Sequence, residues 1–542
     1  MRTSYLGTLA TALAAASFAV AAPAAQHAAS FKPGQTLSTY VSATGAEPAP
    51  LHAQETHPTI EGSYMVILKD GVSTVDFFAH RAMITAAQQS ANAFHATTAD
   101  DAAGIGHIYE LEQHLQGYAG KFTDDVVDYI RSLPEVAYVE RDSVVKTMEM
   151  PYDESMIWDT PYDVSVDNVA IASDHQQAVE KGAPWGLARV SHRKELGLGS
   201  FSRYLYDEDA GEGVTAYIID TGININHVEF EGRARWGKTM PAGSTDKDGN
   251  GHGTHCAGTV VSRKYGVAKK ADVVAVKVLS DSGSGSMSDV TGGVLWAVED
   301  AKKQSAAFAA NPSSTKAKKH KGFVANMSLG GGKSPTLDRA VDGATKSGLS
   351  FAVAAGNENQ DACNTSPAGA EGPVTVGAST INDERAYFSN KGKCVDVFGP
   401  GLNILSTWNT GNTSTNTISG TSMASPHVCG ILAYYLSLQD DGSSKAATAS
   451  FDAASNSLLR FLPLQESLAL AAYKATQWLF GTGAVLETTN AWKGYAAGFP
   501  IMTAISPDSL KTLIEKVATK GALHQLEKDT VNLLVFNNAT LT

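Results

Sequence analysis

Four long, mostly apolar runs, at residues 214–220, 271–279, 323–329 and 349–355, constrain this chain most. Between them lie stretches with helical spacing, near His252, from Ser288, and over 335–346. A strand with one wet face alternates apolar and polar residues, whereas a strand covered on both faces reads as a continuous apolar run. Helices between such strands supply crossover connections. The pattern therefore predicts an α/β architecture, a doubly wound and mostly parallel sheet. Ligands in such sheets bind beyond the carboxyl ends of the strands, so the residues that follow each run are where chemistry is expected.

Ahead of this sheet, residues 61–147 follow the order strand, helix, strand, strand, helix, strand, at 64–68, 75–94, 107–111, 118–122, 125–133 and 136–145. That is the order of a small ferredoxin-like α+β module. Residues 148–182 carry eight acidic residues and one lysine, with prolines and no sustained period, which predicts an exposed linker open to proteolysis. At the N-terminus, Arg2 precedes an uncharged, Ala-rich run over 6–20 and small residues at 19–21. This predicts a cleaved secretory signal at 1–21, followed by a linker over 22–60. The late apolar stretch 468–486 is interrupted by Lys474 and Gln477, so no membrane span is expected.

Asp220 ends the run VTAYIID, His252 follows the glycine-rich turn of DGNGHGTHCAG, and Ser422 lies in SGTSMASPHVCG at the start of a helical stretch. Pro426 is expected in that helix's first turn, where its missing N–H costs little. A serine hydroxyl becomes a nucleophile when a neutral imidazole can take its proton and a buried carboxylate holds that imidazole. The three residue types are present, in the order Asp, His, Ser. Asn357, just past the run FAVAAGNEN, offers an amide to a developing oxyanion, and the Ser422 backbone N–H a second donor. Ser328, Leu329, Gly330 and Gly331, with Ala354 and Gly356, predict a roomy, uncharged pocket wall, with ordinary turn geometry as the alternative for Gly331 and Gly332. DKDGNG from Asp246 fails as an EF-hand because the twelfth position is Ala257. GGGKS lacks the first glycine of a phosphate loop. His252, His255 and Cys256 do not have zinc-site spacing.

On the stretches APWGLARVSHR, DGNGHGTHCAGT, ANMSLGGGKSP, FAVAAGNENQDACNTSPA, YFSNKGKCVDVFGPGLNILS and SGTSMASPHV, the chain resembles the subtilisin-like serine peptidases. Within them it is most similar to the proteinase K branch and the fungal cerevisin-type vacuolar proteases. The resemblance implies endopeptidase activity through Asp220, His252, Ser422 and Asn357. It implies that 61–147 is an inhibitory prodomain, 148–183 a linker with the maturation site, 184–538 the catalytic domain, with an insertion at about 439–505, and 539–542 a tail. It also implies that substrate adds as a strand beside Gly283, Ser284 and Gly285, with Met287 near an outer pocket. A structural calcium would be held by Asp396 and the carbonyls of Glu371 and Pro373, and catalysis would need no cofactor.

Cys363 and Cys394, both in loop-like segments of a chain read as secretory, are the expected disulfide, leaving Cys256 and Cys429 as buried thiols. Asn364, Asn412 and Asn538 begin N-x-[ST] sequons open to glycosylation, whereas Asn326 lies on the pocket strand. The six lysines over 302–321 read as a solvated loop. With 42 Lys and Arg against 55 Asp and Glu, the net charge is −13, which argues against a nucleic-acid partner. The expectation is a monomeric, membrane-free zymogen that cleaves proteins and peptides, prefers apolar or aromatic residues before the scissile bond, and is destined for the vacuole or for secretion.

Overall fold

Tyr64, Val66 and Leu68, alternate residues of one strand, bury their side chains with Phe77, Ile84, Val126 and Ile130 from two helices. They define the first of two compact units, Met1–Asp142 and Ser143–Thr542, in a computed structural model that describes residues 47–53, 57–95, 104–150, 177–439 and 500–539. The first unit contains β1 (Leu51–His52), β2 (Thr59–Leu68), α1 (Thr74–His95), β3 (Gly104–Leu111), β4 (Leu115–Lys121), α2 (Asp124–Arg131) and the first half of β5 (Val136–Thr147). The strand order β5-β2-β4-β3 is that of a ferredoxin-like fold. The Ser73 hydroxyl accepts the Asp76 N–H and starts α1. His80, fully buried, bridges Glu135 and the Tyr118 hydroxyl. β1 pairs in parallel with β5 at Val139 and Glu140, so this unit begins before the expected residue 61. A two-residue strand carries no legible period.

In the second unit the labelled elements are β6 (Val214–Asp220), β7 (Ala234–Thr239), α3 (His252–Val261), β8 (Asp272–Lys277), β9 (Ser284–Ser286), α4 (Met287–Ala310), β10 (Gly322–Met327), β11 (Leu329–Gly332), α5 (Pro335–Lys346), β12 (Ser350–Ala354), β13 (Val374–Ser379), β14 (Val397–Pro400), α6 (Thr421–Ser437), α7 (Pro507–Val517), β15 (Thr519–Lys520) and β16 (Leu533–Leu534). The central sheet runs β15-β16-β14-β13-β12-β10-β6-β8-β7, and only β15 is antiparallel to its neighbour. Every residue of β6, β10 and β12 is buried, as strands covered on both faces require. Helix α6 is buried on nearly every side, against β10, β12, β13 and α3. Its low amphipathicity follows from that position. Asp220, His252, Ala354 and Thr421 each stand where a strand ends or a helix begins.

Local expectations fail in four places. Lys302 and Lys303 continue α4 rather than opening a loop, and Lys302 is buried. The linker expected over 148–183 ends in a strand, Gln177–Lys181, paired antiparallel with Arg203–Asp207. Gly331 and Gly332 form no turn: they pair with Ser366 and Thr365 as strand residues. In the two strand cases a partner distant in sequence completes the element. The fourth is Pro426, which lies inside α6 beyond its first turn. The signal segment 1–21, most of the insertion, and 468–486 lie outside the described residues.

Candidate active site

Asp220 closes β6 with its side chain fully buried, and a buried carboxylate needs donors. It accepts the Thr221 N–H at 2.7 Å and the His252 Nδ1–H, with Nδ1 at 2.8 Å from Oδ1 and 3.0 Å from Oδ2. This contact fixes the imidazole tautomer with the proton on Nδ1. Burial penalises the charged ring, but the adjoining Asp220 carboxylate outweighs it and holds the His252 pKa well above the usual histidine range. Nε2 is buried without a hydrogen-bond partner among the described residues.

The loop before His252 is tied by Asp248, whose significance was not legible in the failed EF-hand pattern. One carboxylate oxygen accepts the Thr221 hydroxyl and the N–H groups of Asn250 and Gly251; the other accepts the N–H and hydroxyl of Thr254. Thr221 Oγ1 in turn accepts the Gly253 N–H. The start of α3 is thereby fastened to the end of β6, which sets the distance between Asp220 and His252. Next to the catalytic-type pair, Cys256 Sγ is 3.9 Å from His252 Nδ1 and donates to the Ser422 carbonyl. Burial raises its thiol pKa, which keeps it protonated.

Ser422 is the second residue of α6. Pro426 supplies no N–H to the Ser422 carbonyl four residues earlier, and the Ser328 hydroxyl takes that place at 2.7 Å. Ser422 Oγ donates to the Ser328 carbonyl at 2.9 Å. Asn357 is oriented by Thr421, whose N–H and hydroxyl both donate to Asn357 Oδ1, at 2.9 and 2.8 Å. This leaves the Asn357 NH2 group to point elsewhere. Its target is the carbonyl oxygen of Met148, at 2.6 Å, and the Ser422 backbone N–H reaches the same oxygen at 3.3 Å.

Met148 belongs to a segment of the second unit that lies in the cleft. Val144, Val145 and Lys146 pair antiparallel with Ser286, Gly285 and Ser284, and on the other side Lys146 and Thr147 pair with Gly330 and Leu329. The Thr147 N–H donates to the Gly283 carbonyl and the Met148 N–H to that of Ser328. A Cβ on Gly330 would stand 2.6 Å from the Met148 Cε, so the absent side chain at 330 is what admits this methionine. A Cβ on Gly331 would meet Met287 Cε at 2.8 Å and Val145 Cα at 3.7 Å, which brings Met287 near the third residue before Met148. Beyond the cleft, Met150 bridges to Ser419.

The subtilase family model matches residues 211–474, and that of peptidase inhibitor I9 matches 63–148. The subtilisin-like serine protease Pen c 2 of Penicillium citrinum is 46% identical over 497 residues, 90% of each chain. The chain belongs to the subtilase family. Alkaline protease 2 of Aspergillus fumigatus is 44% identical over 497 residues, 90% of this chain and 83% of that one. Subtilisin-like protease 8 of Arthroderma otae is 50% identical over 411 residues, 74% of this chain and 77% of its own. This subtilase is a serine protease preceded by an inhibitor-type prodomain, and the inhibitor match ends at Met148, the residue seated against Asn357.

Ala354 is buried at the end of β12, but the space beside Gly356 (φ +105°) is taken by Asn390 and Glu358. Gly356 therefore serves a left-handed turn and close packing rather than a pocket wall. Cys363 and Cys394 form a disulfide with Cα atoms 5.3 Å apart, and Cys256 and Cys429 are buried free thiols. Asn364, Asn412 and Asn538 are exposed, whereas Asn326 is buried and bonded to Ser328 and Ser425. Asp396 and the carbonyls of Glu371 and Pro373 do converge, but on the ammonium of Lys511 rather than around room for calcium. His255 stands apart from the pair, bonded to the Ile404 carbonyl and driven by burial to a pKa of about 3. Among the described residues, the metal-type cluster is Asp220, His252 and Cys256, and its ring Nδ1 already serves Asp220. No described helix is long and apolar enough to cross a membrane.

Proposed function

We propose that this subtilase is a self-processing zymogen of a broad-specificity endopeptidase, with Asp220, His252 and Ser422 as its triad and Asn357 as oxyanion donor. The bond it cuts in itself is the one between Met148 and Glu149. One observation carries the proposal: the Met148 carbonyl oxygen accepts both the Asn357 amide and the Ser422 N–H, where a scissile carbonyl would have to sit. The antiparallel pairing of residues 144–147 on both sides is how an extended substrate docks on strand edges.

In the reaction, the Ser422 hydroxyl turns from the Ser328 carbonyl toward His252 Nε2, gives up its proton there, and attacks the Met148 carbonyl carbon. The negative charge that develops on the oxygen is met by the two N–H donors already aimed at it. Asp220 stabilises the imidazolium. Collapse of the tetrahedral intermediate breaks the C–N bond, with the His252 proton passing to the Glu149 nitrogen. Water, deprotonated by His252, then hydrolyses the Met148 ester and restores Ser422. None of these steps calls on a metal.

The same geometry supports the substrate preference. Val145 and Met148 are buried while Lys146 is exposed, so an apolar residue before the scissile bond and another three positions earlier would be favoured. Met287 would meet the latter. The exposed sequons and the N-terminal apolar run support the secretory route; a vacuolar destination rests on the cerevisin-type resemblance alone.

The test is the first cleavage of the full chain. Mass spectrometry of the released N-terminal fragment should find Met148 at its C-terminus, and Ser422→Ala should accumulate with that bond intact in cells lacking other proteases. A first fragment ending elsewhere, or normal processing of Ser422→Ala, would refute self-cleavage at this bond. Peptides with Met, Leu or Phe before the scissile bond should be cut best; a preference for Lys or Asp there would refute the apolar pocket.

A further inference from the structure

Lys511 projects from α7 into a cage of three oxygens. Its Nζ donates to the Glu371 carbonyl at 3.0 Å, to the Pro373 carbonyl at 2.8 Å, and to Asp396 Oδ2 at 2.9 Å. An ammonium has three N–H donors and no acceptor, so these three oxygens satisfy it completely. The cage is built independently of the lysine. Asp342 Oδ1 accepts the N–H groups of Glu371 and Gly372, which holds the loop with its carbonyls turned inward. Asp396 Oδ2 is fixed by the Thr375 N–H at 2.8 Å.

Two carbonyls and a carboxylate are donors that suit a hard cation such as calcium, and this is the set expected to hold one. Charge and space both exclude it here. The side chains of Lys511 and Asp396 are each only about one-fifth exposed, at 20% and 19%. The Asp396 carboxylate already has the Lys511 ammonium as its ion-pair partner, and a divalent ion would add two further positive charges directly beside that ammonium in a half-dry site. Calcium also needs six to eight oxygens at about 2.3–2.6 Å, whereas Nζ occupies the point where these oxygens meet. Glu515, one turn further along α7, is not among the three acceptors. Burial and the nearby Asp396 charge raise its carboxyl pKa.

We propose that Lys511 is a built-in replacement for a structural cation, filling the cage of Glu371, Pro373 and Asp396 so that this corner of the fold is stable without calcium. The lysine ties α7, which follows the insertion, to the loops flanking β13. The sequence stretch that delivers it thus supplies what a bound ion would supply.

The experiment uses the full chain carrying Ser422→Ala, which cannot digest itself, and follows thermal unfolding in excess chelator and in millimolar calcium. Any calcium effect on the parent Tm should be unchanged by Asp396→Asn, because no ion sits at that carboxylate. Lys511→Ala should lower Tm by at least about 3 °C in chelator. Calcium should then restore part of the loss, and the restoration should vanish in the Lys511→Ala, Asp396→Asn double variant. Terbium luminescence should likewise titrate onto Lys511→Ala in an Asp396-dependent way. A calcium effect in the parent that Asp396→Asn abolishes would overturn the proposal, as would an unchanged Tm in Lys511→Ala. If Lys511→Ala fails to fold, the parent and Asp396→Asn comparison still decides.

Discussion

His252 shows how one contact sets a working pH. Burial alone would favour the neutral ring, yet the Asp220 carboxylate at 2.8 Å raises its pKa well above the ordinary range. A general base must be neutral, so a raised pKa moves the acid limb of activity upward. The kcat/KM profile should rise through a pH above the unperturbed value of about 6.5, and Asp220→Asn should move that limb down while cutting kcat by about 10⁴. A limb at or below the unperturbed value in the wild type would contradict the coupling. Asn357 acts on the other side of the carbonyl. Asn357→Ala should cost about 2.7–4 kcal/mol in kcat, a range carried over from subtilisin's own asparagine donor rather than from these distances. A fall smaller than threefold would remove Asn357 from the oxyanion hole.

At the scale of elements, the pocket is a gap between two strand edges and its size is set by what β11 lacks. Gly330 has no positive φ, so a side chain there is not excluded by the backbone; it is excluded by the Met148 Cε, 2.6 Å from its Cβ position. Gly330→Val should therefore keep the fold and change selectivity. Single-turnover assays should show the ratio of kcat/KM for Phe over Ala before the scissile bond falling by at least about tenfold; an unchanged ratio would place the pocket elsewhere. Helix α6 illustrates a compensation of the same kind. Pro426 deprives the Ser422 carbonyl of its helical partner, and the Ser328 hydroxyl takes over, so the residue that links β10 to β11 also completes the helix that carries the nucleophile.

For the whole molecule, distant segments are fastened by a few strong links, of which the disulfide between Cys363 and Cys394 closes a loop with a sequence separation of 31. Loop-closure entropy of that size corresponds to about 3–4 kcal/mol. Urea unfolding of Cys363→Ser in the Ser422→Ala chain should show a loss of that order, and a loss below about 1 kcal/mol would mean that the surrounding packing of Val395, Phe398 and Leu534 already holds the loop.

The sequence by itself determined the sheet and the residue types at its edge. Val214–Asp220 and Pro335–Lys346 have the bounds expected from their residues, because apolar runs and helical spacing are written within a window shorter than one element. Asp220 and His252, 32 residues apart, could be paired from chain order and glycine-rich context alone. Tertiary structure decided what passes between windows. Nothing local tells that the Met148 carbonyl meets Asn357 209 residues away, or that Thr421 orients that amide. Asp248 carried a rejected metal motif, and only its five bonds reveal a brace. Lys511 reaches Pro373 across 138 residues: a lysine on an amphipathic helix has no periodic signature of its partner, and its charge finds the cage only once the fold has brought the two together.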